Sequence, residues 1–112
     1  MITPLPLQPD IQLTLDAAGV IRDATLSNDM AGEPVDALLG RLWFETLDEV
    51  EVVRVSNLVE RAVASGVSPF FQVSQHLPSG LVVPIEYMTV RSGDGLVAIG
   101  KDVRSVARMQ SS

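Results

Sequence analysis

One stretch of helical periodicity sits between two stretches of alternation, and this narrows the possible folds more than any other feature of the chain. From Leu47 to Ser65, apolar residues recur at Val52, Val55, Leu58, Val59, Ala62 and Val63, while Glu51, Arg54, Asn57, Glu60 and Arg61 fill the other side. That spacing predicts one long amphipathic helix. Thr46-Leu47-Asp48-Glu49 has the spacing of a capping box at its start, and Gly66 is placed to end it. A helix with a single apolar stripe needs other elements to cover it.

Those elements read as strands. Ile11, Leu13 and Leu15 alternate with Gln12 and Thr14, Asp16 to Gly19 supplies a turn, and Val20 to Leu26 resumes extended chain, which predicts a β-hairpin. Pro34 suits the first turn of a short helix through Leu39, ended by Gly40. After the long helix, the stretches 70–77, 81–91 and 96–102 form a predicted three-stranded meander, joined at Pro78-Ser79-Gly80 and at residues 92–95. Pro84 cannot donate a ladder hydrogen bond, so it is expected at an edge or a bulge. The domain division that follows is an extended lead-in over 1–10, with prolines at 4, 6 and 9, one folded domain over 11–103, and the opening of a connector helix over 104–112.

Composition then removes several function classes. The formal charge of −6 with eight Lys and Arg argues against direct nucleic-acid contact, which requires clustered cations. The chain has no cysteine, so thiol nucleophiles, flavin–thiol adducts and Cys-ligated metals are excluded. No apolar run is long enough to span a bilayer and no signal-peptide pattern opens the chain, so a cytoplasmic location without membrane contact is the expectation.

The order strand, strand, short helices, long helix, three strands resembles the PAS fold, and particular residues support the match. The run 32–41, Gly-Glu-Pro-Val-Asp-Ala-Leu-Leu-Gly-Arg, is similar to the stretch preceding the long helix in PAS domains, and Asn28 stands where they often place an Asn after the second strand. The ending Val97-Ala98-Ile99-Gly100-Lys101-Asp102-Val103 resembles a PAS exit strand passing through an Asp corner into a signalling helix. With Pro84-Ile85-Glu86-Tyr87 and the tail Arg104-Ser105-Val106-Ala107-Arg108-Met109-Gln110, it resembles the N-terminal PAS-like domain of the PpsR/CrtJ repressors of photosynthesis genes. The resemblance implies an α+β PAS-like fold, a five-stranded antiparallel sheet with short helices and one long helix on one face. The few residues between Asn28 and Gly32 shorten a connection that helps form the usual PAS cavity, which favours a packed core and no cofactor.

Candidate chemistry is sparse. The one histidine, His76, precedes the Pro78–Gly80 turn and reads as an exposed strand-end residue rather than a haem ligand or pH switch. Trp43 and Phe44 could stack on a planar group, although aromatics at such a junction usually plug a core. Glu86 lacks a convergent partner for general-base work, and a cross-strand ion pair suffices to explain it. Asp94 and Asp102 lack calcium-loop spacing. No catalytic constellation and no metal cluster is apparent, so the chain is expected not to be an enzyme. Any internal pocket is expected to be lined by Trp43, Leu58, Phe71, Val73, Tyr87 and Ile99. An association surface is expected at Phe70, Val103, Val106 and Ala107.

These readings lead to a regulatory sensor and oligomerisation domain of a bacterial transcriptional repressor. Its partners would be a second copy or another PAS domain, with an antirepressor protein as a further candidate, and a separate domain would bind DNA. The alternative is a ligand-binding input domain of a histidine kinase or cyclic-dinucleotide signalling enzyme.

Overall fold

Alternation in the strands and the single helical stripe meet across one layer boundary. The computed structural model describes residues 9–27 and 32–104. Strands β1 (Ile11–Leu15), β2 (Ile21–Leu26), β3 (Phe71–His76), β4 (Val82–Ser92) and β5 (Gly95–Asp102) form one antiparallel sheet in the order β2-β1-β5-β4-β3. Between β2 and β3 come 3-10 turns at Val35–Leu38, Trp43–Thr46 and Glu49–Glu51, the last running directly into helix α1 (Val52–Ser65).

One face of the sheet is buried. Ile11, Leu13 and Leu15 of β1, Phe71 and Val73 of β3, Val83, Ile85 and Tyr87 of β4, and Leu96 and Ala98 of β5 form the core with Val55 and Ala62 of α1. Gly100 completes this face because nothing larger fits. A Cβ there would lie 2.5 Å from Ile85 Cγ2 and 2.7 Å from both Ile11 Cγ2 and Tyr87 Cε1. Helix α1 ends as expected, with Gly66 left-handed at φ 99° and its N–H on the Ala62 carbonyl.

Its beginning differs from the sequence reading. The capping box at Thr46 does not form, since Asp48 precedes the Glu49–Glu51 3-10 turn with no side-chain cap and the α-helix starts only at Val52. Pro84 also differs. It lies in β4, an interior strand, opposite Ser74 of β3. The β5 pairing begins one residue later, at Ile85–Asp102, and Val103 N–H donates to the Pro84 carbonyl at 3.1 Å. The missing proline donor thus falls where β5 ends, so no ladder bond is lost.

The β3 edge is closed by α1 and the 3-10 turn that leads into it. Arg54 Nη2 donates to the Gln72 carbonyl at 2.8 Å, and Ser74 N–H donates to Glu51 Oε1 at 2.9 Å. Two backbone groups that could template another strand are therefore occupied.

Candidate functional site

The interior is organised around a glutamine. Gln75 follows Phe71 and Val73 on the inward phase of β3 and is fully buried. Burial of an amide is costly unless both its ends are bonded. Here they are: Oε1 accepts from Tyr87 Oη at 2.6 Å and Trp43 Nε1 at 3.1 Å. Nε2 donates to Thr46 Oγ1 at 2.7 Å and also faces the Thr46 and His76 carbonyls at 3.2 and 3.1 Å. The Thr46 hydroxyl in turn donates to the Trp43 carbonyl at 2.6 Å.

Aromatic rings surround this polar centre. Trp43 meets Tyr87 edge-on with centroids 5.1 Å apart, and Phe71 lies 6.1 Å from Tyr87 and 6.3 Å from Trp43. Burial pushes the Tyr87 phenol far above its ordinary pKa, so it stays a neutral donor. An amide, a neutral phenol, an indole and a hydroxyl offer no proton acceptor of useful basicity. The cluster fixes positions and is not set up for acid–base chemistry.

Of the six residues expected to line a pocket, Trp43, Phe71, Val73 and Tyr87 come together in the buried core, and Leu58 packs against it half-buried. Ile99 does not join them. Leu96, Ala98 and Gly100 take the inward phase of β5, which turns Ile99 to the outer face. Gln75 was not singled out by sequence, although it sits on the same alternation as Phe71 and Val73, and Thr46 was read only as a helix cap.

The outer face carries the second candidate region. Phe70 is 66% exposed and shares a shallow hollow of about 400 Å³ with Pro9, Glu86, Met88, Ile99 and Lys101. Glu86 stands opposite Lys101 across the β4–β5 ladder, a solvated pairing of opposite charges. His76, on the edge strand, pairs with Asp48 at 2.5 Å, with both side chains well exposed. Val103 is half-buried at the end of β5, whereas Val106, Ala107 and Asn28 lie outside the described residues. Among the described residues no group of three or more His, Asp or Glu could hold a metal ion, and no helix is long and apolar enough to cross a membrane.

A protein-family model described as PAS fold matches residues 5–108. The chain belongs to the PAS family. The solved structures similar to this PAS domain include the PAS domain of a protein from Colwellia psychrerythraea, at TM-score 0.68 and 17% identity over 85% of this chain and 86% of that one. Another is the PAS domain of the Cronobacter turicensis quorum-sensing receptor RpfR in complex with BDSF, at TM-score 0.67 and 14% identity over 89% and 99%. A third is the Vibrio cholerae VqmA dimer in the absence of target DNA, at TM-score 0.63 and 16% identity, where the match covers 93% of this PAS domain and 52% of VqmA. At such identities the likeness is one of fold. No curated protein matches the sequence, and the finer likeness to the PpsR/CrtJ repressors is not among these similarities.

The two ends of the PAS domain are tied together. Asp10 N–H donates to the Gly100 carbonyl at 2.9 Å, Asp102 N–H donates to Asp10 Oδ2 at 2.8 Å, and Ser27 N–H donates to the Asp10 carbonyl at 2.8 Å. The Arg104 guanidinium and backbone N–H close on the Asp102 carboxylate at 2.6 to 3.1 Å. The strand that presents Ile99 on the outer face is therefore the strand that carries the chain out.

Proposed function

We propose that this PAS domain is the non-catalytic sensory and self-associating part of a bacterial transcription regulator, of the photosynthesis-gene repressor type. It relays a change in packing through its C-terminal exit to a separate DNA-binding domain. The observation that carries the reading is the outer face of the sheet. Phe70, exposed to 66%, stands over a hollow that includes Met88 and Ile99, and Ile99 lies three residues before the Asp102 corner. Apolar side chains grouped in this way on a charged domain fit a partner surface. A second copy docking there would press on β5, and the exit held by Asp10, Pro84 and Asp102 would move with that strand. Two discrete packings of such a junction are what a switch requires.

The acidic balance supports placing DNA contact elsewhere. The VqmA dimer, solved in the absence of target DNA and bearing on the DNA-binding mechanisms of LuxR-type receptors, gives an instance of this fold in such a setting.

The test is the mass in solution of residues 1–112 by light scattering after size-exclusion chromatography, beside Phe70→Glu and Ile99→Glu. The 12.0 kDa chain should run at twice its mass, and each variant at one chain mass with an unchanged circular-dichroism spectrum. A wild type that stays monomeric at high concentration, or a dimer indifferent to both charges, would remove the association reading.

A further inference from the structure

A cleft separate from the outer face opens where the β1–β2 and β4–β5 turns meet the second half of α1. Its volume is about 140 Å³, and its apolar wall consists of Leu15, Trp43, Phe44, Val59, Val63 and Leu96. A cavity of about 150 Å³ lined by such residues is large enough to hold a benzene ring. The walls are fixed in advance. Asp16 accepts the N–H groups of Ala18 and Val20 at 2.9 and 3.0 Å and is bridged to Arg22 at 2.8 Å, which locks the β1–β2 turn. Trp43 N–H donates to the Gly19 carbonyl at 3.0 Å, and the close approach of Gly95 to Leu15 fixes the opposite wall, since a Cβ there would lie 1.9 Å from the Leu15 carbonyl oxygen. A preformed site spends little free energy on ordering itself.

The mouth has a definite charge. Asp94 lines it, is exposed, and makes no hydrogen bond or ion pair among the described residues. The Asp16 carboxylate at the same cleft is already saturated by its turn and Arg22, so Asp94 is the group left to receive a donor. No Lys or Arg lines the cleft, and the chain carries −6 overall.

We propose that this cleft binds a small cationic amphiphile, an apolar ring or branched chain of about six to eight non-hydrogen atoms ending in an ammonium group. The apolar part lies against Phe44, Val59 and Val63, and the ammonium reaches Asp94 at the mouth. Trp43, whose Nε1 holds Gln75, lines the cleft while being only 1% exposed, so an occupant adjoins the buried cluster without opening it. This site does not depend on self-association.

The test is a titration of the isotope-labelled chain, followed by backbone and indole N–H resonances, with benzylamine, benzyl alcohol and benzoate at neutral pH. Benzylamine should give saturable shifts at Gly19, Gly95, Leu96 and the Trp43 indole, benzyl alcohol weaker ones, and benzoate binding at least about tenfold weaker than the amine. Asp94→Asn should weaken benzylamine about fivefold and leave benzyl alcohol unchanged. Val63→Phe, at a position 53% exposed and so tolerant of the larger ring, should weaken both by filling the mouth. Equal binding of amine and carboxylate, shifts centred on Met88 or Ile99 instead, or undiminished binding by a folded Val63→Phe variant would overturn the proposal.

Discussion

Replacing Gln75 by leucine keeps roughly the volume of the side chain and deletes its amide, which isolates what the buried network contributes. Trp43 Nε1–H and Tyr87 O–H then lose their shared acceptor, and Thr46 Oγ1 loses its donor, all inside a region closed to water. An orphaned buried donor costs about 1–3 kcal/mol, so two of them place the loss at about 3–4 kcal/mol. For a domain of this size that lowers Tm by about 15–25 °C. Urea unfolding followed by the fluorescence of Trp43, the one tryptophan, measures the change directly. Tyr87→Phe alone should cost only about 1 kcal/mol, because Gln75 Oε1 still accepts from Trp43. In the double variant one orphan is gone, so Gln75→Leu should cost about 1 kcal/mol less than in the wild type. A Gln75→Leu loss below about 1 kcal/mol, or strict additivity of the two changes, would refute the claim that the amide is what holds Trp43 and Tyr87 in place.

Other perturbations test separate parts of the structure. Gly100→Ala should destabilise by about 1–3 kcal/mol in thermal unfolding, because its methyl meets three side chains at 2.5–2.7 Å, and Gly95→Ala should do more harm, because its methyl meets backbone. The Asp16 carboxyl is held below its usual range by the Val20 N–H, with help from Arg22 and the Ala18 N–H and against a smaller desolvation effect. A depressed folded pKa gives stability that is complete above the ordinary value near 3.8 and fades as pH falls through the folded value, so Asp16→Asn should flatten the acid limb of a stability-versus-pH curve while leaving its shape near neutrality unchanged. Replacing both Glu51 and Arg54 by alanine frees Ser74 N–H and the Gln72 carbonyl on the β3 edge, and should raise the aggregation rate at fixed stability, measured by light scattering during incubation at a temperature below Tm.

The strands and the long helix were legible because their periods differ, two residues against three or four, and each period is carried by several apolar side chains. Where the reading departs from the structure, distant residues decide. Thr46 has the local pattern of a helix cap, but its hydroxyl is taken by Gln75 and the Trp43 carbonyl, contacts that depend on β3 lying alongside. Ile99 is as apolar as its neighbours on β5, with Val97 also facing outward, so alternation alone could not say which phase is buried. The tie-breaker is Gly100, which is inward because Ile85, Ile11 and Tyr87 leave no room for a side chain. Pro84 is harmless for a reason set by another strand, since β5 stops opposite it. Gln75 carries no apolar signal of its own, and only its place two residues after Val73 points inward.

The aspartate at position 10 has a mechanical meaning beyond the bonds it makes. Because its backbone and carboxylate grip Gly100 and Asp102, polypeptide arriving at residue 9 and polypeptide departing at residue 104 share a single corner of the molecule. Force or torque applied to either segment is delivered first to the same few atoms, at the end where β1 and β5 begin to pair. The corner held by Asp10 is thus the first part of the β1–β5 pairing that a pull between the two segments would load.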